Sequence, residues 1–254
     1  MSLHSERPLS GKVALVTGSA RRIGREIALA LAEEGAHVII HARSSRDEIE
    51  TVAKEINASG GQATALLADI TDEIAVGDLV EHIHQKAGPV EILVNNAAIR
   101  GEKPLAELDL ETFRSVYAVA VEGAFLLTRA LVSDMVERGF GRIITIGGAS
   151  AHAGVANRVH VATAKAALVG FAKAIAVEFA ENSVTSNIVV PGKIGGPRSA
   201  TSGTGGSFPG GREPLVGHEG APRDVAEVVR LLALPSGNFI TGQTIHVSGG
   251  LYLP

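Results

Sequence analysis

Seven short apolar runs recur along the chain, and longer segments with helical spacing lie between them. The runs are VALVTG (13–18), HVIIHA (37–42), ATALLADI (63–70), EILVNNA (91–97), GRIITIGG (141–148), VTSNIVVPG (184–192) and QTIHVSGG (243–250). Their apolarity is continuous rather than alternating, which marks strands covered on both faces. Strand–helix alternation places such strands in a parallel sheet. Right-handed crossovers then give an α/β, doubly wound sheet of about seven strands with helices on both faces.

The intervening segments carry helix signals. IGREIALALAEEGA (23–36) has helical spacing and ends at Gly35, a C-terminal cap. Residues 46–58 form a polar-faced helix. Thr71 stands before Asp72 and Glu73, so it is expected to cap a helix whose first turn favours carboxylates. Asp109 can cap a long helix reaching about Arg138, and further helices are expected over 159–180 and 223–233. A length of 254 residues and the absence of a composition break predict one domain, 9–254, behind a flexible arm, 1–8. The Gly-, Ser- and Pro-rich stretch 195–214 reads as a mobile loop after the sixth strand. It is either a substrate lid or a surface insertion.

Composition removes several functions. The chain has no Cys, which excludes disulfides, thiolate chemistry and Cys-type zinc sites. Net charge is −4, aromatics are 4% and Trp is absent, so basic or stacking platforms for nucleic acid have no support. His82 and His84 are two apart, on different faces of an expected helix, and no metal site is expected. No apolar run reaches membrane-spanning length, and the N-terminus lacks a secretory core. The expectation is a cytoplasmic protein that engages no membrane.

VTGSARRIG (16–24) joins the first strand to the first helix. Gly18 permits a tight turn, Gly24 permits close helix–strand packing, and free N–H groups at the helix start favour a pyrophosphate. From here the chain resembles the short-chain dehydrogenase/reductase family, particularly 3-oxoacyl-reductase-like members, over about residues 9–252. That family writes this turn T-G-x-x-x-G-x-G; Thr17, Gly18 and Gly24 match, while Arg22 replaces the middle glycine. ADI (68–70) matches the acid that meets the adenine, here Asp69, and NNAA (95–98) matches N-N-A-G. PGKI (191–194) matches the segment facing the nicotinamide, and 221–250 matches the C-terminal run.

The resemblance implies a single-domain Rossmann-type fold and a dinucleotide cofactor. Its implied contacts in the first turn are Gly18, Arg21, Arg22 and Ile23. Asp69, Ile70, Asn96 and Ala97 follow, with Lys165, Pro191, Gly192 and Ile194 at the nicotinamide end. NAD requires a carboxylate at the end of the second strand, but that position is Ala42, followed by Arg43 and Ser44. With Arg21 nearby, paired guanidinium bonds suit a 2′-phosphate, so NADP(H) is favoured over NAD(H).

The family's oxidoreductases use Tyr as acid/base, a Lys four residues later, a Ser thirteen residues earlier and an Asn on the preceding long helix. Hydride reaching a carbonyl leaves charge on oxygen, which needs a donor. Here Lys165 remains, while the other positions hold Val161, Gly148 and Ala120. Ser150, His152 and His160 are the alternative donors. Three readings stay open: an NADP(H)-dependent oxidoreductase with weak or altered activity on a small carbonyl or alcohol, a non-catalytic dinucleotide-binding or partner subunit, and a non-redox enzyme on the same scaffold. The family habit of pairing its long helices implies a homotetramer.

Overall fold

The computed structural model describes residues 7–196 and 208–254. Residues 1–6 of the expected arm at 1–8 and the centre of the 195–214 loop therefore lie outside the described residues. Seven parallel strands form one sheet in the order β3-β2-β1-β4-β5-β6-β7. They are β1 (Val13–Val16), β2 (His37–Ala42), β3 (Gln62–Leu67), β4 (Ile92–Asn95), β5 (Gly141–Ile146), β6 (Val184–Pro191) and β7 (Thr244–Val247). The helices are α1 (Arg22–Glu33), α2 (Arg46–Ala58), α3 (Glu73–Lys86), α4 (Leu110–Tyr117), α5 (Gly123–Glu137), α6 (Ser150–Ala153), α7 (Val159–Phe179) and α8 (Pro222–Ala233). The expected doubly wound α/β sheet is thus observed. Its strand order reverses between β1 and β4, which is where such sheets open a crevice at their carboxyl ends.

The strands are continuously apolar because the two faces divide their side chains. Along β1, Ala14 and Val16 join a core with Ile27, Leu31, Val225 and Val229 of α1 and α8. Val13 and Leu15 join the opposite core with Leu79 and Ile83 of α3 and Leu127 and Leu131 of α5. Each buried Val, Leu or Ile side chain here contributes about 1.5–3 kcal/mol by leaving water. The sheet residues of the sequence runs fall short of the runs themselves. The final residues at 17–18, 68–70, 96–97 and 147–148 leave the ladder, and these residues build the crevice.

Three expectations are corrected. Asp72, not Thr71, caps α3: its carboxylate accepts from the N–H groups of Ile74 and Ala75, while the Thr71 hydroxyl donates to Asp69. The helix that Asp109 caps is not uniform, because a π-helical turn over Ala118–Glu122 divides α4 from α5. Finally, Leu110–Glu137 and Val159–Asn182 are long and apolar enough, by length and composition, to cross a membrane. Isolated charges such as Arg129 and Lys165 interrupt the apolar runs yet leave the mean hydropathy high. In this fold both helices turn an inner face to the protein, through Leu127, Leu131 and Met135 of α5 and Ala164, Leu168 and Ala172 of α7.

Candidate functional site

The turn after β1 is held open by hydrogen bonds to β2 and β4. The Thr17 hydroxyl accepts from the N–H of Asn96 at 2.9 Å and of Ala97 at 3.0 Å. Asn96 Nδ2 returns bonds to the carbonyls of Thr17 at 2.8 Å and Gly18 at 3.0 Å. Buried Ser19 donates from its hydroxyl to Val16 and accepts from the His41 N–H. A Cβ on Gly24 would stand 2.4 Å from the Gly18 oxygen and 2.6 Å from Asn96 Nδ2, so α1 meets the turn only through a glycine. Gly24→Ala is expected to cost about 1–3 kcal/mol. A thermal melt should then show a midpoint several degrees lower.

Above this turn lies a cleft of about 510 Å³. Gly18, Arg21, Arg22, Ile23, Arg43, Asp69, Ile70, Asn96 and Ala97 all line it. Ser44 does not; its neighbour Ser45 takes the place, because the Arg46 N–H bonds back to the Ser44 carbonyl and turns the chain at that point. Arg21 reaches Ser45 Oγ at 3.2 Å and Glu48 at 3.2 Å, and Arg43 stands 3.9 Å from the Asp69 carboxylate. Bonds from the Thr71 N–H and hydroxyl hold the Asp69 carboxyl below its usual range. His41, unmarked by any sequence signal, also lines the cleft; burial pushes its imidazole down to about 4, so it is neutral.

Arg22 explains why a glycine is expected at its position. Its φ is +51°, a left-handed conformation that costs an L-residue roughly 1–2 kcal/mol. The side chain crosses to the loop after β6, donating to the Ile194 carbonyl at 3.1 Å and the Gly196 carbonyl at 2.7 Å. It therefore borders both the cleft and a second, smaller cavity.

That cavity holds about 110 Å³ and lies at the carboxyl ends of β5 and β6. Lys165 lines it together with Asn96, Pro191, Gly192 and Ile194. Lys165 is 5% exposed and donates to the Ile146 carbonyl at 2.5 Å. Burial, helped by the charge of Arg100, pushes its ammonium down to about 7. Val161 and Gly148 also line the cavity; Val161 is 3% exposed and packs with Val116, Ala120 and Ala164. Ala120 lies within the π-helical turn. A Cβ on Gly148 would meet only Lys165 Cγ and Ser150 Oγ, each at 3.7 Å, so a side chain fits there.

Of the alternative donors, Ser150 borders the cavity, whereas His152 and His160 are not among its described lining residues. The His152 ring instead packs at 4.6 Å from His246 and 5.5 Å from Tyr252. Burial lowers both the His152 and the His160 imidazole, which favours their neutral forms. Two arginines and one aromatic are among the lining residues that escaped sequence reasoning. Arg100 and Arg158 come from the loop after β4 and the N-terminal boundary of α7, where no periodicity marks them. Phe208, within the Gly-rich stretch, is buried with Leu168 and Leu251; as the one aromatic residue there it is the signal that was available.

Residues 12–204 match the short chain dehydrogenase family. The chain is 35% identical over 252 residues to a 3-oxoacyl-(acyl-carrier-protein) reductase of Haemophilus influenzae, spanning 96% of this chain and 100% of that one. It is 36% identical over 248 residues to the corresponding reductase of Aquifex aeolicus, spanning 97% and 100%. Among solved structures, a blue fluorescent protein from a metagenomic library in complex with NADPH superposes with a TM-score of 0.87. That structure is 33% identical, with 97% of this chain and 100% of that chain covered.

Proposed function

The chain belongs to the short-chain dehydrogenase family, and from that premise we propose that it binds NADP(H) and acts as an oxidoreductase of weak or altered activity on a small carbonyl or alcohol. One observation carries the cofactor reading. The larger cleft, with Arg21, Arg43 and Asp69, and the smaller cavity, with Lys165, Pro191 and Gly192, share Arg22 and Asn96 as lining residues and so adjoin. The adenosine end presents guanidinium groups where an NAD site would present a carboxylate after β2. Arg21 and Arg43 would hold the 2′-phosphate, Asp69 and Ile70 the adenine side, and Asn96 and Ala97 the middle of the cofactor. Lys165, Pro191, Gly192 and Ile194 would frame the nicotinamide end. When bound, the cofactor supplies the hydride. The residues present a fitting charge pattern for it, and Arg22, which donates to the Ile194 and Gly196 carbonyls, would border the pyrophosphate.

Lys165 is then the residue that can move a proton near the reacting carbon, with the Ser150 hydroxyl beside it. Its amine is poised near neutrality rather than locked as a cation. The apolar lining at Val161 and Gly148 favours a second reading, a dinucleotide-binding subunit without catalysis. Calorimetric titration separates the cofactor claim from the activity claim. NADPH is expected to bind at micromolar Kd and NADH at least about tenfold more weakly, as the loss of charge-assisted phosphate bonds requires. Arg43→Ala should bring the two affinities close together. Equal affinity for both in the natural chain, or none for either, refutes the cofactor claim. Turnover with a panel of carbonyl compounds decides between the two activity readings.

The same family reading supports a cytoplasmic homotetramer joined through α4–α5 and α7. Phe125 on α5 and Val159 and Val177 on α7 leave large apolar side chains exposed on those helices. Light scattering on the purified chain checks the assembly, and a monomer at micromolar concentration refutes it.

A further inference from the structure

Five basic side chains border the smaller cavity. Arg22, Arg100, Arg158, Lys165 and Lys193 line it, and no carboxylate is among its described lining residues. Two of these basic groups are ion-paired: Arg158 with Glu102 at 2.8 Å and Lys193 with Glu213 at 2.5 Å. Arg22 and Lys165 are turned toward backbone carbonyls. Arg158 is 7% exposed, so its charge is held in place with little water around it, where electrostatic interactions are strong.

The ionisable groups nearby register this field. Beyond the effect of burial, Arg100 lowers the Lys165 ammonium, and Arg158 and Lys103 lower the His160 imidazole. Each of these groups gives up proton affinity because positive charge stands close by. An incoming anion would relieve that mutual repulsion; an uncharged ligand would leave it in place. Guanidinium groups from two separate elements, the loop after β4 and the start of α7, offer the planar paired donors that suit a carboxylate. Phe208 supplies an apolar wall to the same small space, which suits a short carbon skeleton.

From this geometry we infer that the cavity takes a short oxo or hydroxy compound bearing a carboxylate, with Arg100 and Arg158 as its specificity-determining residues. This rests on the oxidoreductase reading for the oxo or hydroxy part, while the carboxylate part rests on the cationic lining itself. The substrate oxygen would face Lys165 and Ser150, and the carboxylate would face the two guanidinium groups.

The test compares acetoacetate with methyl acetoacetate, which share a 3-oxo skeleton and differ in the charge. Binding is measured by calorimetry on the full chain, with and without NADPH, in a buffer free of phosphate. Acetoacetate is expected to bind at least about tenfold more tightly than the ester. Arg100→Gln and Arg158→Gln should each remove most of that preference while leaving ester affinity in place. Arg158→Lys, which keeps the charge against Glu102, should restore part of it, and this separates recognition from a loss of folding. Equal binding of acid and ester, or a preference untouched by both Gln variants, overturns the inference. Titrations with NADPH in the same samples report the other reading independently. NADPH binding without acid preference sinks the anion site alone; acid preference without NADPH binding sinks the cofactor reading and the oxo or hydroxy part with it, and keeps the carboxylate part.

Discussion

Val161→Tyr combined with Gly148→Ser is expected to raise NADPH-dependent reduction of small 3-oxo compounds at least about 10²-fold over the natural chain, because a positioned general acid contributes about 10²–10⁴-fold. The surroundings favour this gain. Lys165 already lines the cavity that the phenol would enter, and at Gly148 a Cβ meets nothing nearer than 3.7 Å. Ala120, at the position where the resemblance places the Asn, lies in a π-helical turn. Such turns commonly mark functional sites in helices. Tyr is larger than Val, and Val161 packs against Val116, Ala120 and Ala164, so the variant should lose about 1–3 kcal/mol of stability. Either single change should give much less than the pair, since donors that act as a unit are far from additive. Loss of NADPH absorbance in the presence of substrate measures the effect. A folded double variant that binds NADPH and gains no rate would show that the site lacks more than its two donors.

The second large effect concerns Lys165 and runs in the opposite direction for stability. Lys165→Met is expected to make the protein more stable at neutral pH, by roughly 2–4 kcal/mol, while weakening NADPH binding. The sign follows from proton linkage. The unfolded chain takes up a proton on this amine near 10.5, whereas the folded chain takes it up only at about 7. As pH falls from 10.5 to 7 the unfolded state gains a proton that the folded state refuses, so stability declines across that window and then levels off below it. Met removes this penalty, with loss of the bond to the Ile146 carbonyl as the offset. Thermal melts should therefore show the variant ahead of the natural chain by several degrees at pH 7, with the gap closing toward pH 10.5. A variant less stable at every pH would mean that the ammonium is already satisfied when the fold is formed. The contrast between stability and binding is what a buried amine kept for function rather than for folding should show.

Parts of the site were readable because they are local. The tight turn at Gly18, the packing glycine at Gly24 and the run NNAA lie next to strands whose own apolarity locates them, and the structure brings them together at the reversal between β1 and β4. Ser44 and Ser45 show the limit of that reasoning. Which of two adjacent serines meets the cleft depends on one backbone hydrogen bond to Arg46, and no pattern of residue types records it. Thr71 and Asp72 differ in the same way, since both are good capping residues and the neighbouring Asp69 draws the threonine away. Arg100, Arg158 and Phe208 are harder still, because each is an ordinary residue in its own segment and acquires meaning only from the cavity it borders.

The amino-acid sequence by itself determined the layered α/β architecture, its parallel strands and the crevice at their carboxyl ends. Periodicity and motif spacing are short-range properties of the chain, and they are sufficient for these. Only the tertiary structure decided that Arg22 spans the crevice to the loop after β6, that His152 turns away to His246 and Tyr252, and that guanidinium groups distant in sequence converge on one small cavity. Those outcomes depend on side chains meeting across long loops, where burial and charge act through space rather than along the chain.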